Sequence, residues 1–176
     1  VHPYDDPRII AGQGTAALEL LDRGYREIVL TGGGSESDNL AVVGSALAAG
    51  RRRAVVTTAV EHEAVLQSAA FVESLGCRVD RIGVDHWGRI EVPDIAAAVA
   101  ADTAVVSVMA ANNETGTVFP ISAIAGAVRE RNPQVLVHTD AVPAFISEKS
   151  TIASTKPEMT ILAAHKNGGL KAISLL

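Results

Sequence analysis

The stretch that decides the fold runs from residue 27 to residue 58 and reads EIVLTGGGSESDNLAVVGSALAAGRRRAVVTT. Its β-branched start at 27–31 predicts a strand, and three glycines follow. Ser35 has the character of a helix N-cap, with Asp38 as its capping-box partner. We therefore expect a helix over 36–49 that ends at Gly50, and a second strand over 54–58. A strand, a helix and a strand in this order are typical of a parallel sheet with crossover helices.

The same alternation continues along the chain. Further strands are predicted at 78–82, 104–109 and 135–139, a turn at 85–88, and helices at 63–75, 93–101 and 121–131. The run at 104–109 is nearly all apolar, as expected of a strand covered on both faces. The sequence therefore predicts an α/β fold, a three-layer domain with a mainly parallel sheet.

Composition excludes several classes of function. The 176 residues are 48% hydrophobic and 3% aromatic with a net charge of -5, which suits one globular domain and argues against a nucleic-acid binder. A single cysteine, Cys77, excludes a disulfide framework and a multi-cysteine zinc site, so we expect no metal and a small buried apolar side chain there. The apolar runs are shorter than the roughly 20 residues of a membrane span, so we expect a cytoplasmic protein without a membrane partner.

Candidate functional residues follow the predicted strands, where ligands bind in open α/β sheets. The glycines and Ser35 could bring backbone N–H groups around an anion at the helix N-terminus, or could simply form a tight turn. The dinucleotide and nucleoside-triphosphate patterns are incomplete, because Ser37 replaces the third glycine of the first and no Gly-Lys-Ser/Thr follows for the second. A single phosphate monoester is the better-fitting anion.

Five further residues follow the predicted strands, and for some of them an ordinary interpretation stands beside a chemical one. A neutral His62 at a helix start could stack on a flat ligand or exchange a proton, or could be a simple helix-start residue. The pair Asn112-Asn113 is also typical of a turn. Asp140 ends an apolar run and needs a partner, which a protonated ring nitrogen would supply. Lys166 follows another apolar run, where an amine can lose its proton and form a Schiff base, although surface lysines are common.

Together these residues supply the groups that bind pyridoxal 5′-phosphate: a phosphate cup, a histidine to stack on the ring, an aspartate for the ring nitrogen and a lysine. They also occur in an order that resembles the cysteine desulfurases of the class V aminotransferase family. The matching stretches are 26–31, 33–40, 61–66, 112–116, 138–141 and 164–166.

The resemblance implies a role for each residue. Lys166 and His62 would be catalytic, with Lys166 covalently bound to the cofactor and His62 stacked on its ring. The remaining cofactor-binding residues would be Gly34, Ser35 and His165 at the phosphate, Asn113 at the ring and Asp140 at the ring nitrogen. The family converts L-cysteine to L-alanine as a homodimer and passes the sulfur, as a persulfide, to an acceptor protein for iron–sulfur cluster or thiocofactor assembly.

The sequence departs from the family pattern at four positions. Pro143 replaces a glutamine, Ala163 replaces a hydroxyl residue, Leu170 replaces a proline, and Ala172 replaces a glycine. The resemblance is to the large, cofactor-binding domain alone, so we expect residues 1–176 to form that domain without the small C-terminal domain and its sulfur-accepting cysteine. A pyridoxal-phosphate-binding module without turnover and another class V activity, such as transamination or selenocysteine lysis, are the alternatives.

Overall fold

The computed structural model describes residues 27–50, 53–143, 157–163 and 174–175. Within them the chain forms seven strands and four helices. The strands are β1 (Leu30–Thr31), β2 (Ala54–Thr58), β3 (Arg78–Ile82), β4 (Thr103–Ser107), β5 (Leu136–Asp140), β6 (Met159–Ala163) and β7 (Ser174–Leu175). The helices are α1 (Gly34–Ala48), α2 (Glu63–Ser74), α3 (Val92–Ala98) and α4 (Ile121–Arg131).

The strands form one sheet in the order β1-β7-β6-β5-β4-β2-β3. Five neighbouring strands pair in parallel, in the order β6, β5, β4, β2 and β3. The two antiparallel pairs are those that β7 makes with β6 and β1. The predicted α/β class with a mainly parallel sheet is confirmed. No helix in the described part of the chain combines the length and the apolar character needed to cross a bilayer.

Helices cover both faces of the sheet because neighbouring residues of each buried strand point to opposite sides. On one face Val55 packs in a cluster with residues of α1 and α2, and on the other Val56 packs with residues of α3 and α4. Ile95 and Ile124 fill the second cluster and are fully buried. Cys77 belongs to the first cluster and is 6% exposed, which confirms it as a small buried apolar side chain.

Most predicted elements are present, with shifts at their ends. The bounds of β2, β3 and α4 agree with the prediction. The predicted strand 27–31 is wrong in extent, since only Leu30–Thr31 pairs. Among the described strands the partner of β1 is β7, which has two residues. Strand β4 ends at Ser107 rather than at 109, and helix α3 ends at Ala98, before Val99 turns to an extended backbone.

Candidate active site

The loops that follow the parallel strands are joined by hydrogen bonds at one edge of the sheet. The Met109 N–H donates to Glu61 Oε1 at 3.1 Å, and Asn112 Nδ2 donates to the Val60 carbonyl at 3.0 Å. These two bonds connect the loop after β2 with the loop after β4. The Ala110 N–H in turn donates to the Asp140 carbonyl at 2.8 Å. The structure therefore brings the segments that carry His62, Asn113 and Asp140 together.

The glycine loop lies at the same edge. A Cβ atom added to Gly34 would lie 3.9 Å from Val142 Cγ2, in the turn directly after β5. Val142 also packs in one apolar cluster with Ala41 of α1 and Ile161 of β6. The N-terminus of α1 is thus next to the end of β5, where Asp140 lies.

The prediction that Ser35 caps α1 is wrong. The helix begins at Gly34 with Gly33 as its N-cap and without a side-chain cap, because the glycines allow the chain to enter the helix two residues earlier than expected. Glu36, not Asp38, plays the capping part, since its Oε2 accepts the Gly32 N–H at 2.6 Å. Ser35 instead occupies the exposed first turn.

The start of α1 has free hydrogen-bond donors. The first N–H groups of a helix have no acceptor within it, and the Gly34 and Ser35 N–H groups donate to no other described residue. A Cβ atom added to Gly33 would meet nothing within 4 Å. This open cradle of N–H groups and the Ser35 hydroxyl has the chemistry to bind a phosphate.

His62 is the N-cap of α2, as the predicted helix start requires. Its Nδ1 accepts the Ala64 N–H at 3.1 Å, so in the neutral ring the proton is on Nε2. The ring is half-buried. This arrangement fixes the orientation of the imidazole and leaves Nε2 available to exchange a proton.

The two adjacent asparagines have different environments. Asn112 builds the turn, because its Oδ1 accepts the N–H groups of Glu114 and Thr115, each at 2.9 Å. The ordinary interpretation is therefore confirmed for Asn112. Asn113 is exposed and its amide makes no hydrogen bond with the described residues, so that amide is free to contact a ligand.

Asp140 is the last residue of β5 and is 4% exposed. Its Oδ1 accepts the Val142 N–H at 2.9 Å. Pro143, three residues after Asp140, is half-buried in the turn that follows. Neither a side-chain amide nor a backbone N–H is available from this proline.

Two carboxyl groups near Asp140, those of Asp38 and Glu61, are buried, which the sequence analysis did not predict. Burial, together with the charges of Asp140 and Glu61, raises the pKa of Asp38 from its ordinary 3.8 to about 8. Burial also raises the pKa of Glu61 from 4.5 to about 8, against the lowering effect of its hydrogen bonds with Thr58 and Met109. Both groups are therefore neutral near pH 7.

A buried histidine faces Asp38. The Nδ1 atom of His138 and Ser107 Oγ are 2.8 Å apart, and His138 Nε2 lies 3.9 Å from Asp38 Oδ1. Burial lowers the pKa of His138 from 6.5 to about 3. Because the neutral forms of both Asp38 and His138 are favoured, this contact is not an ion pair.

These shifts predict how stability depends on pH. The folded pKa of Asp38 is raised, so the folded state binds more protons than the unfolded state between about pH 4 and about pH 8. The free energy of unfolding should therefore fall as pH rises through that window, by up to about 1.4 kcal/mol per pH unit for this group. The lowered pKa of His138 has the opposite effect on stability. The unfolded state binds more protons at this residue between about pH 3 and about pH 6.5, so the free energy of unfolding falls as pH falls through that window.

Urea unfolding of the wild type and Asp38→Asn at about pH 5 and about pH 8 checks this prediction. We expect the wild type to lose more stability than the variant between the two values, because asparagine does not titrate. Equal losses in the two proteins would contradict the assignment of a neutral buried acid at Asp38. Asp94→Asn, on the exposed start of α3, serves as the control.

The two basic candidates, His165 and Lys166, lie outside the described residues. Strand β6 precedes them and pairs with β5 in a register that aligns Asp140 with Ile161. It ends at Ala163, three residues before Lys166 in the sequence. Their roles stay predictions.

The comparison with known proteins agrees with this geometry. A family model described as "Aminotransferase class-V" matches residues 18–176. The chain belongs to the class V aminotransferase family. A cysteine desulfurase of Bradyrhizobium diazoefficiens is 40% identical to this class V chain over 158 residues, which are 89% of this chain and 40% of that protein. A cysteine desulfurase IscS of Clostridium botulinum is 39% identical over 151 residues, covering 85% and 38%.

Solved protein structures also resemble the chain. A NifS-like protein superimposes with a TM-score of 0.78 and 32% identity, over 85% of this chain and 41% of that one. A second structure, described as "SspA in complex with cysteine", gives a TM-score of 0.77 at 29% identity, over 93% and 50%. The chain spans about two fifths of the length of the two curated cysteine desulfurases. Enzymes of this family generally depend on pyridoxal phosphate.

Proposed function

We propose that this chain forms the large, cofactor-binding domain of a pyridoxal-phosphate-dependent cysteine desulfurase. The observation that carries the proposal is the convergence of the open N-terminus of α1, His62 and Asp140 at the carboxyl edge of one parallel sheet. The similarity to curated cysteine desulfurases supports the choice of activity within the family. The proposal extends over residues 1–176.

The described residues fit the cofactor. The Gly34 and Ser35 N–H groups and the Ser35 hydroxyl would bind the phosphate, with His165 beside them. Asp140 would hold the proton on the ring nitrogen, because its carboxyl group lies at the end of β5, at the carboxyl edge of the sheet. When bound, pyridoxal phosphate supplies a ring that accepts the electron pair left on the α-carbon of the substrate.

The remaining candidates would orient the ring and move protons. His62 would stack on the ring and hold a proton at Nε2, which its bond with Ala64 leaves as the protonated nitrogen. The exposed amide of Asn113 would contact the ring, and the amine of Lys166 would bind the cofactor covalently.

The substrate proposed is L-cysteine, which becomes L-alanine. Its C–S bond breaks with the electron pair left on carbon, the carbon takes up a proton, and the sulfur forms a new S–S bond with a thiolate. Cys77 does not fit as that thiolate, because it is buried and precedes β3, at the sheet edge opposite the site. We propose that the thiolate lies outside residues 1–176 of a cytoplasmic homodimer, and that the sulfur then passes to an acceptor protein for iron–sulfur cluster assembly.

Pro143 favours a second candidate, a module that binds the cofactor without turnover. A proline at this position cannot donate the hydrogen bond expected of the family's glutamine. Such a module would still bind pyridoxal phosphate but would not convert L-cysteine.

An assay with L-cysteine separates these candidates. The protein is incubated with pyridoxal phosphate and dithiothreitol, and L-alanine is measured by mass spectrometry beside released sulfide. We expect both products in equal amounts, with a dithiothreitol thiolate taking up the sulfur and then releasing it as sulfide, and therefore unchanged yields from Cys77→Ser. Cofactor binding without either product would favour the module, whereas amino-group transfer to an added 2-oxo acid would indicate a transaminase.

A further inference from the structure

Glu61 is an unusual residue to find buried next to a candidate catalytic histidine. It is 6% exposed, and one carboxyl oxygen accepts two hydrogen bonds, from Thr58 Oγ1 at 2.6 Å and from the Met109 N–H at 3.1 Å. Thr58 and Met109 are fully buried. Its other oxygen, Oε2, has no hydrogen-bond partner among the described residues. Burying a carboxyl group in this way costs free energy, so the position of Glu61 calls for a structural or functional explanation.

The contacts of Glu61 connect two loops that carry candidate site residues. The Met109 bond crosses from the loop after β2 to the loop after β4, and the bond from Asn112 Nδ2 to the Val60 carbonyl crosses between the same loops. We call these two bonds the latch. Glu61 directly precedes His62, and Asn112 directly precedes Asn113.

The latch is connected to the His62 imidazole by a few bonded residues. The backbone of His62 accepts the N–H groups of Val65 and Leu66, so the residue is part of the first turn of α2. Its ring orientation is set by Ala64. The path from the Met109 backbone to the imidazole therefore includes one side chain, that of Glu61, and one peptide link.

We propose that Glu61 and Asn112 are positioning residues, which hold the His62 imidazole and the Asn113 amide in register across one cofactor site. This inference rests on the proposed function for the identity of the ligand, but the latch itself is a property of the chain alone. A misplacement of about 1 Å at such a site is enough to impair both binding and catalysis.

The test compares Glu61→Ala, Glu61→Gln and Asn112→Asp in the whole chain. Glutamine keeps the oxygen that accepts both bonds, alanine removes it, and aspartate at 112 keeps the turn-building Oδ1 but loses the donor to Val60. Thr57→Val is the matched control. Thr57 is fully buried near the end of β2, the strand before Glu61, and its hydroxyl has no partner among the described residues.

Two measurements are made on each protein. The imidazole nitrogen resonances of His62, assigned with His62→Gln, are recorded without ligand in 15N-histidine-labelled protein. The Kd for pyridoxal phosphate is measured by absorbance titration. We expect Glu61→Ala and Asn112→Asp to shift the His62 resonances and weaken binding by about tenfold, the scale of one lost hydrogen bond. Glu61→Gln and Thr57→Val should match the wild type.

The outcomes separate positioning from a merely structural role. A lower melting temperature with unchanged His62 resonances in Glu61→Ala and Asn112→Asp would overturn the inference. If Glu61→Ala does not fold, Asn112→Asp alone decides it by the same criterion. If the wild type fails to bind pyridoxal phosphate, the proposed function fails, while the His62 spectra still test the latch.

Discussion

Lys166→Ala is expected to abolish the covalent attachment of pyridoxal phosphate. The wild type mixed with the cofactor should absorb near the edge of the visible range, and borohydride should fix the cofactor on Lys166. The variant should show neither property, because the covalent bond needs an amine beside the ring. The family resemblance gives that position to Lys166 and not to the other three lysines of the sequence, at 149, 156 and 171. Absorbance spectra and the intact mass after borohydride treatment check the prediction.

Lys156→Ala is the control for that experiment. In the sequence Lys156 comes three residues before β6 begins at Met159, whereas Lys166 follows that strand. We expect Lys156→Ala to retain the absorption band and the borohydride-stable mass. A band that persists in Lys166→Ala and disappears in Lys156→Ala would assign the covalent bond to Lys156 and contradict the prediction.

Asp140→Asn is expected to weaken the binding of pyridoxal phosphate by about 30-fold or more, the scale of a truncated buried ion pair. Asparagine keeps the oxygen that accepts the Val142 N–H but removes the charge that would hold the proton on the ring nitrogen. The measurement is the Kd by absorbance titration, together with the melting temperature.

The fold should tolerate this change. The charge of Asp140 raises the pKa of both Asp38 and Glu61, so removing it lowers the cost of ionising these two buried groups, while asparagine keeps the Val142 hydrogen bond. We therefore expect the melting temperature of Asp140→Asn to equal or exceed that of the wild type. Asp94→Asn should bind the cofactor as the wild type does. An unchanged Kd in Asp140→Asn would show that Asp140 lies away from the ring.

The predictions that succeeded rest on local patterns. The apolar runs that became β2 and β3 and the periodicity of α4 are set by residues close in the chain, and the polar residues after each strand indicated the carboxyl edge. The start of α1 was missed because the glycines have almost no conformational preference of their own. The position of this helix start is set by the hydrogen bond that the Gly32 N–H donates to the Glu36 carboxylate.

The buried polar residues could not be assigned from the sequence for a different reason. Asp38 was interpreted as a capping residue, and Glu61 was placed among the polar residues after the strands but given no role. Their role depends on contacts with residues far along the chain, such as Met109 for Glu61 and His138 for Asp38. A carboxyl group that follows an apolar run and precedes a candidate histidine, as Glu61 does, is a pattern that would have pointed to it.

A crystal structure of the protein with pyridoxal phosphate tests the central claim most directly. We predict continuous density from the cofactor to Lys166 Nζ, the phosphate on the Gly34 and Ser35 N–H groups, and the ring nitrogen within hydrogen-bond distance of Asp140. The ring should lie against His62. Cofactor density away from the carboxyl edge of the sheet, or on another lysine with the start of α1 empty, would contradict the account.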